Sequence, residues 1–215
     1  MQKPVFVSEG DEMYKVNRCH NCPNAVIDLD YTENIISKVL QEKDIHKRLK
    51  ERSNPVKPLH HRILHLAIAG CPNSCSQPQI KDIGIQGQAY TKVGSGCILC
   101  EQCVQVCPDE AVKLQDNGPV IDPELCLNCA KCVRKCPTET IKISKTGYRI
   151  MIGGKVGRRP RFAEVINSLA DENQLEQILK LTLDFYLEKS RPGERYGQLL
   201  ERINKQEINK YFKIY

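Results

Sequence analysis

Apolar positions follow a helical period near the start of the chain and change to short strand-like runs afterwards. Within residues 30–52 the apolar side chains fall on one helical stripe, made of Ile35, Ile36, Val39, Leu40 and Leu49. The segment SNPVKP at 53–58 then breaks the chain, because proline and asparagine favour turns. Short apolar runs at 62–70, 79–87 and 146–154 predict three strands.

After Pro160 the apolar spacing becomes helical again, and it predicts amphipathic helices at 161–170, 173–189 and 195–208. Apolar side chains of this region are expected to pack on the sheet: Ile166, Leu169, Leu175, Ile178, Leu179, Leu181, Phe185 and Tyr186. The strands at 79–87 and 146–154 should be neighbours if the segment between them is looped out, since the ends of a small inserted domain usually lie close together.

Composition narrows the class of protein. Of the 215 residues, 40% are hydrophobic and 27% are charged, which is ordinary for a globular protein. No run of about eighteen apolar residues occurs, so no membrane span is predicted. The first residues carry acids and lack an apolar segment, so we expect no signal peptide and a cytoplasmic location.

The chain contains 12 cysteines, and a cytoplasm keeps thiols reduced, so metal ligation is their expected use. The formal charge of +6 is weak evidence for nucleic acid, because three four-iron clusters would carry about −2 each and cancel it. Tryptophan is absent and aromatic residues are few, which leaves no obvious platform for stacking bases. We therefore expect no nucleic-acid partner.

Eight cysteines form two matching runs, CILCEQCVQVCP at 97–108 and CLNCAKCVRKCP at 126–137. Both read C-x2-C-x2-C-x3-C-P, and they make an internal repeat of 29 residues (126 minus 97). Three thiolates at this spacing can wrap three corners of an iron–sulfur cube, and the fourth corner needs a ligand from elsewhere. Zinc and disulfides are the competing assignments, but a zinc site does not call for a third cysteine and a Cys-Pro in each run.

Residues 92–145, which contain both runs, resemble bacterial ferredoxins with two 4Fe–4S clusters. In those proteins the last cysteine of each run serves the other cluster. The resemblance implies that cluster A is bound by Cys97, Cys100, Cys103 and Cys136. It implies that cluster B is bound by Cys126, Cys129, Cys132 and Cys107.

The four remaining cysteines, which are Cys19, Cys22, Cys71 and Cys75, are the number that one more cluster requires. The last two lie in GCPNSC at 70–75, which follows ILHLAIA and precedes IKDIGIQG. This stretch, together with GYRIMIGGKVGRRPRFAEVI at 147–166, is similar to the cluster-binding half of siroheme sulfite and nitrite reductases. The resemblance extends from about residue 17 to residue 205, and some family members carry a ferredoxin inserted at this place.

This second resemblance implies a third 4Fe–4S cluster and a siroheme, with the Cys75 thiolate bridging the cluster to the siroheme iron. Asn73, which shapes the cluster loop, is placed with Cys75 among the cofactor-binding residues. The siroheme carboxylates would contact a glycine–arginine loop, and arginine pairs well with carboxylates; the cations of this loop are Lys155, Arg158, Arg159 and Arg161. A solvated basic turn and a docking face for an acidic partner are the alternatives for the loop.

The chain departs from the family pattern at two places. The family's first cysteine pair is C-x5-C, whereas here Val16 stands at the first position and Cys19 lies three residues before Cys22. The strand before GCPNSC usually presents basic side chains to the substrate, and the candidates here for a proton donor or an anion contact are His61, Arg62 and His65. Ordinary sheet or surface positions are the alternative for these residues.

The sequence is interpreted as an α+β protein, with a sulfite/nitrite reductase-like domain at 1–91 and 146–215 and a two-cluster ferredoxin insert at 92–145. As a siroheme reductase it would take electrons from a redox partner protein and reduce a small oxyanion such as sulfite. The alternative is a siroheme-free, three-cluster electron-transfer protein or a subunit of a larger redox complex. The family has a half-domain ahead of its first cysteine, so a partner subunit or a second copy is expected to complete the site.

Overall fold

The computed structural model describes residues 12–20, 22–52 and 63–212; the predicted break at 53–58 and the candidates His61 and Arg62 lie outside these ranges. The strands are β1 (Tyr14–Arg18), β2 (Leu64–Ala69), β3 (Ile83–Val93), β4 (Val112–Gln115), β5 (Gly118–Ile121), β6 (Ile141–Ile152) and β7 (Glu164–Ala170). The helices are α1 (Leu29–Glu42), α2 (Ile45–Arg52), α3 (Gln102–Gln105), α4 (Lys131–Lys135), α5 (Glu172–Lys189), α6 (Tyr196–Arg202) and α7 (Lys205–Phe212).

Five of the strands form one sheet in the order β1-β2-β3-β6-β7, and β4 pairs with β5 in a separate small sheet. β1, β2 and β3 are parallel, whereas β6 runs antiparallel to both β3 and β7. The β3–β6 ladder ends with Val93 opposite Ile141, so residues 94–140 leave and re-enter the sheet at one point. The expected pairing of the strands at 79–87 and 146–154 is confirmed.

The large sheet packs its two faces differently. Leu64 and Leu66 of β2 belong to the same apolar core as Ile36 of α1 and Leu179 of α5, so these residues face the helices. Successive residues of a strand point to opposite faces, which places His65 on the other side. The second face carries small and polar residues. The cysteines of the loops that follow β1 and β2 lie at the ends of these strands.

The prediction of a helix at 161–170 is wrong, because Glu164–Ala170 is strand β7 and pairs with β6. Its apolar residues have helical spacing, but β6 offers an edge that needs a partner. Val165 and Ile166 are β-branched, and such side chains fit a pleated surface. Pairing with a neighbouring strand therefore outweighs the local period.

Two other predicted helices are each divided in two. The segment at 30–52 forms α1 and α2, and Asp44 between them has a φ of 48°, a left-handed conformation that a helix does not pass through. The segment at 195–208 forms α6 and the start of α7, separated where Ile203 is extended. The helix at 173–189 is confirmed as α5, which begins at Glu172 behind a capping box. None of the described helices is long and apolar enough to span a membrane.

Most of the apolar residues that were expected to pack on the sheet do so. The core contains Ile166, Leu175, Leu179, Phe185 and Tyr186, and Ile178 packs against it. Leu169 and Leu181 are only half-buried.

A buried ion pair connects α6 to the sheet. Asp82, next to the first residue of β3, is 1% exposed and accepts hydrogen bonds from Arg195 Nε at 3.1 Å and from Nη2 at 2.7 Å. The same carboxylate accepts the backbone N–H of His65 at 2.9 Å. Burial raises the pKa of Asp82, and the Arg195 guanidinium opposes that shift.

Replacing Asp82 with alanine should lower the free energy of unfolding by about 3–5 kcal/mol, because it leaves a mostly buried Arg195 without its partner. Asp30→Ala is the control, since it removes an ion pair with Arg18 in which the Asp30 side chain is 69% exposed. That loss should be below about 1 kcal/mol. Anaerobic urea titration followed by circular dichroism measures both, and equal losses would contradict the role of the buried pair.

Candidate metal centres

The ends of β1 and β2 bring four cysteines to one edge of the large sheet. Because the two strands are parallel neighbours, the residues that follow them meet at the same edge. The four thiols line one cavity of about 980 Å³, at the upper end of the range for ligand sites. We call this set quartet C: Cys19, Cys22, Cys71 and Cys75.

The two loops that carry quartet C are packed on each other. A Cβ atom at Gly70 would lie 2.8 Å from the Cβ of Ala25, so the approach of the two loops requires glycine there. The N–H of Val26 donates to the Gly70 carbonyl at 2.8 Å, and the Ser76 hydroxyl donates to the Ile68 carbonyl at 2.8 Å. The cysteine loops are therefore fixed to the ends of their strands.

The thiols of quartet C line one cavity, and both burial and their charges act on Cys71. Burial raises the pKa of Cys71, and negative charge on the other three thiols of the quartet raises it further. The side-chain amide of Asn73 donates to Cys75 Sγ at 3.0 Å. This contact places a hydrogen-bond donor on the sulfur that the sequence assigned to a bridging role.

A second group, quartet B, lines a small cavity that Thr91 of β3 also lines. It comprises Cys107, Cys126, Cys129 and Cys132, the set that the ferredoxin resemblance assigned to cluster B. Burial raises the pKa of Cys132 to about 11, and charge on Cys129, Cys126 and Cys107 adds to the shift. Burial is also the main cause of the raised pKa of Cys126. The structure thus gathers the last cysteine of the first run with the first three of the second.

The complementary group, quartet A, comprises Cys97, Cys100, Cys103 and Cys136. Burial raises the pKa of Cys103, and charge on Cys136 and Cys97 raises it further, so these three thiols are neighbours. Cys100 is exposed in the loop that precedes α3. Cys103 and Cys132 lie in a small apolar core with Val112 and Ile141. This small core is distinct from the main core of the large sheet.

The repeat that the sequence shows is also present in the backbone. Leu99 and Asn128 occupy equivalent positions of the two runs, and their φ angles are 57° and 60°. The residues before α3 and α4, Glu101 and Ala130, have φ angles of 59° and 55°. Left-handed conformations are uncommon for residues other than glycine, so their recurrence at matching positions shows that both runs adopt one loop shape.

Within residues 12–20, 22–52 and 63–212, no three His, Cys, Asp or Glu side chains stand close enough to hold a single metal ion. The thiolates of a four-iron cube each bind a different iron and are spaced more widely than the ligands of one ion.

Quartets B and C share a wall. Cys129 lines both the small cavity of quartet B and the 980 Å³ cavity of quartet C. Arg134 lines the larger cavity as well, and its guanidinium donates to the Cys129 carbonyl at 3.0 Å and to Asn24 Oδ1 at 3.5 Å. The 94–140 segment therefore closes one side of the site at the end of β1 and β2.

His65, a candidate proton donor, lies within β2 and is 3% exposed. It does not line the quartet C cavity, and its backbone N–H is bonded to Asp82. A direct role for its side chain stays a prediction, as do those of His61 and Arg62.

Two cations of the glycine–arginine loop form ion pairs with glutamates of the chain instead of lining the quartet C cavity. Lys155 Nζ is 2.7 Å from Glu201, and Arg161 pairs with Glu164. The backbones of Lys155 and Arg161 also exchange two hydrogen bonds of 3.0 Å each. Arg158 and Arg159 are exposed at the tip between them. None of the four cations lines the quartet C cavity, so siroheme binding by this loop stays a prediction.

The basic residues that do line the cavity were missed by the sequence reasoning: Lys15, Arg18, His20, Lys131 and Arg134. A signal existed for Lys15, because Lys15 and Asn17 alternate along β1 and Cys19 directly follows the strand in the same alternation. No sequence signal indicated that the second cysteine run would place Lys131 beside quartet C, because that contact depends on how the 94–140 segment docks.

The α+β fold and the gathered thiols point to an iron–sulfur protein of the sulfite and nitrite reductase class. Residues 18–214 match the family described as the nitrite and sulphite reductase 4Fe-4S domain, and the chain belongs to that family. The resemblance inferred from GCPNSC and the glycine–arginine segment is therefore confirmed.

Two curated relatives are similar in sequence. The coenzyme F420-dependent sulfite reductase of Methanocaldococcus jannaschii is 36% identical over 186 residues, which cover 85% of this chain and 27% of that protein. A subunit of the anaerobic sulfite reductase of Salmonella typhimurium is 32% identical over 147 residues, which cover 66% of this chain and 42% of that subunit. The alignments thus span less than half the length of either relative.

The solved structure of dissimilatory sulfite reductase I is similar in fold. It superimposes with a TM-score of 0.64 over 97% of this chain and 54% of that chain, at 16% identity. The predicted α+β fold of the family is confirmed. The assignment of residues 92–145 as a ferredoxin insert, and of individual ligands, stays a prediction.

In the reduced, iron-free protein at pH 8, Cys132 should react with iodoacetamide about a hundredfold more slowly than an ordinary thiol. Burial raises its pKa to about 11 and only the thiolate reacts, so its rate should keep rising as the pH approaches that value. The exposed Cys100 of quartet A is the fast-reacting control. Peptide mass spectrometry with isotope-coded reagents measures both rates, and similar rates at pH 8 would contradict the burial of Cys132.

Proposed function

We propose that the chain passes electrons, one at a time, from a redox partner to a sulfite reductase-type centre at quartet C. Quartets A and B would hold two ferredoxin-type 4Fe–4S clusters, and quartet C a third. The shared wall at Cys129 is the observation that carries this proposal. It brings the thiols of the 94–140 segment against the thiols at the end of β1 and β2.

The ligand pattern of quartets A and B supports iron–sulfur clusters over zinc. Cys107 and Cys136 each approach the run to which they do not belong. That exchange of the last cysteine is the ligand pattern of two-cluster ferredoxins. Free thiols in such numbers also require a compartment that keeps cysteine reduced, so we propose a cytoplasmic location.

When bound, the clusters would store and deliver single electrons, and a siroheme at Cys75 would supply the iron at which an oxyanion such as sulfite is reduced. The chain's own residues would tune this site. The Asn73 amide, 3.0 Å from Cys75 Sγ, offsets negative charge on that sulfur. Hydrogen bonds to cluster sulfurs are among the factors that set reduction potentials.

The cavity beside quartet C suits an anionic ligand. Five basic side chains line it, among them Lys15 and Lys131, and Asp109 is its one carboxylate among the described residues. We propose that Lys131 and Arg134, rather than Lys155 and Arg161, attract the carboxylates of a siroheme or an oxyanion substrate, since Arg18 of the same lining is paired with Asp30 and Glu33. Lys155 and Arg161 already have carboxylate partners within the chain.

A three-cluster electron-transfer protein without siroheme is the second candidate. The pairing of Lys155 with Glu201 and of Arg161 with Glu164 favours it, because two of the four expected carboxylate anchors are occupied. One similar protein is a subunit of anaerobic sulfite reductase. By analogy we propose that this chain also works with a partner subunit or a second copy, whether or not it binds siroheme.

Protein purified without oxygen should contain about twelve irons per chain, four for each quartet. Cys71→Ala should lower the count by about four, because it removes a ligand of quartet C while quartets A and B keep theirs. Cys126→Ala is the matched variant, and it should remove a different four, from quartet B. Iron analysis with electron paramagnetic resonance of the reduced protein measures this. About eight irons in the wild type, unchanged by Cys71→Ala, would contradict a cluster at quartet C.

Extraction into acidified acetone decides between the two candidates. Protein made in a host that synthesises siroheme should release about one tetrapyrrole per chain if the cavity beside Cys75 binds it. Lys131→Glu should reduce that yield, because it replaces a cation of the cavity with an anion. Lys142→Glu, on the exposed part of β6, is the control that should leave the yield unchanged. Absence of tetrapyrrole in the wild type, with iron retained, would support the siroheme-free role.

A further inference from the structure

Two glutamines on β3 are buried between the cysteine sites. Gln86 is 4% exposed and Gln88 is 3% exposed, and both lie on the face of the sheet opposite the helices. Burying an amide side chain is unfavourable unless its polar atoms are bonded. Apolar residues would fill the same space at less cost, so the partners of these two side chains indicate their purpose.

The glutamines form a hydrogen-bonded ladder between two cysteine loops. Gln86 Nε2 donates to the Ser74 hydroxyl at 2.5 Å, and Gln88 Nε2 donates to Gln86 Oε1 at 2.7 Å. At the other end, Asn128 Nδ2 donates to Gln88 Oε1 at 3.4 Å. Ser74 lies between Cys71 and Cys75 of quartet C, and Asn128 lies between Cys126 and Cys129 of quartet B.

The backbone makes the same connection. β2 ends beside Gln86, and beyond that point the exposed edge of β3 is taken by the second cysteine run. The N–H of Ala89 donates to the Asn128 carbonyl at 2.8 Å, and Ala89 forms a parallel bridge with Cys129. The loop of quartet B thus occupies the edge of β3 beyond the point at which β2 ends.

Both ends of the ladder are residues in an unfavourable backbone conformation. Ser74 has a φ of 56° and Asn128 a φ of 60°, in the left-handed region. Such conformations persist only where surrounding contacts fix them. The ladder supplies a side-chain contact to each residue; because Leu99, at the position equivalent to Asn128, adopts the same conformation without such a bond, the ladder links the two loops rather than setting their shape.

We propose that Gln86 and Gln88 are positioning residues that lock the loop of quartet C to the loop of quartet B and fix the separation of the two centres. This inference rests on the proposed function, since the separation matters because electrons pass between the centres. A pair of apolar side chains could pack at the same place, but it would set no register between the loops.

Gln88→Leu cuts the ladder with little change of volume. Gln79→Leu is the matched control, because Gln79 Nε2 also donates to the Ser74 hydroxyl, at 2.8 Å, but leads away from Asn128. Hydrogen exchange of the Ala89 amide, measured by mass spectrometry of peptides from β3, reports whether the quartet B loop remains docked. We expect exchange about tenfold faster in Gln88→Leu and unchanged in Gln79→Leu.

The spectroscopic arm uses the fully reduced iron-containing protein. The magnetic interaction between centres B and C should weaken in Gln88→Leu, while that between centres A and B stays as in the wild type. Gln86→Leu should give the same two changes, and the double variant should add little, because both substitutions break one ladder. Gln86→Leu also serves as the test if Gln88→Leu does not fold.

Exchange and magnetic interaction equal to those of Gln79→Leu would overturn the lock. The exchange arm needs no iron at quartet C, so it remains informative if the iron count shows that the proposed third cluster is missing. Fast exchange in both Gln86→Leu and Gln88→Leu with normal iron content supports the lock. Normal exchange with normal iron content rejects it and leaves the proposed function intact.

Discussion

The parallel pairing of β1 with β2 is the constraint on which the rest of this structure depends. Cys19 and Cys71 belong to segments far apart in the sequence, and they meet only because two neighbouring strands end at the same edge. The core side chains of β2, such as Leu66 and Ile68, hold that strand against the helices, so apolar packing on one face sets the geometry of the thiols at its end. The site is therefore a product of the sheet rather than of a local motif.

Much of the fold could be read from the sequence because its signals are local. The two cysteine runs, the strand pair at 79–87 and 146–154 and the long helix α5 all have regular spacing within one segment. β7 could not be read in this way, because Val165 and Ile166 are placed by the unpaired edge of β6 rather than by their own period. The division of the helix at 30–52 likewise depends on one left-handed residue, Asp44.

The candidate site shows the same division between local and long-range information. Family resemblance and spacing assigned twelve thiols to three sets; two cavities of the structure are lined by quartets C and B, and the charges of Cys97 and Cys136 act on Cys103 of quartet A. The part of the basic lining formed by Lys131 and Arg134 could not be predicted, since these residues reach the cavity only through docking of the 94–140 segment. Lys155 and Arg161, which the glycine–arginine pattern did indicate, instead form ion pairs with Glu201 and Glu164.

The point at which residues 94–140 leave the sheet has an evolutionary consequence. Val93 and Ile141 are paired partners at the end of a continuous antiparallel ladder, so a short hairpin turn could join β3 to β6 directly. A lineage could then gain or lose the whole cysteine-rich segment without a change in strand order. The reductase-like domain would keep its topology. Exchange of residues 94–140 at this point would alter the cysteine-rich segment and leave the strand order of the large sheet as it is.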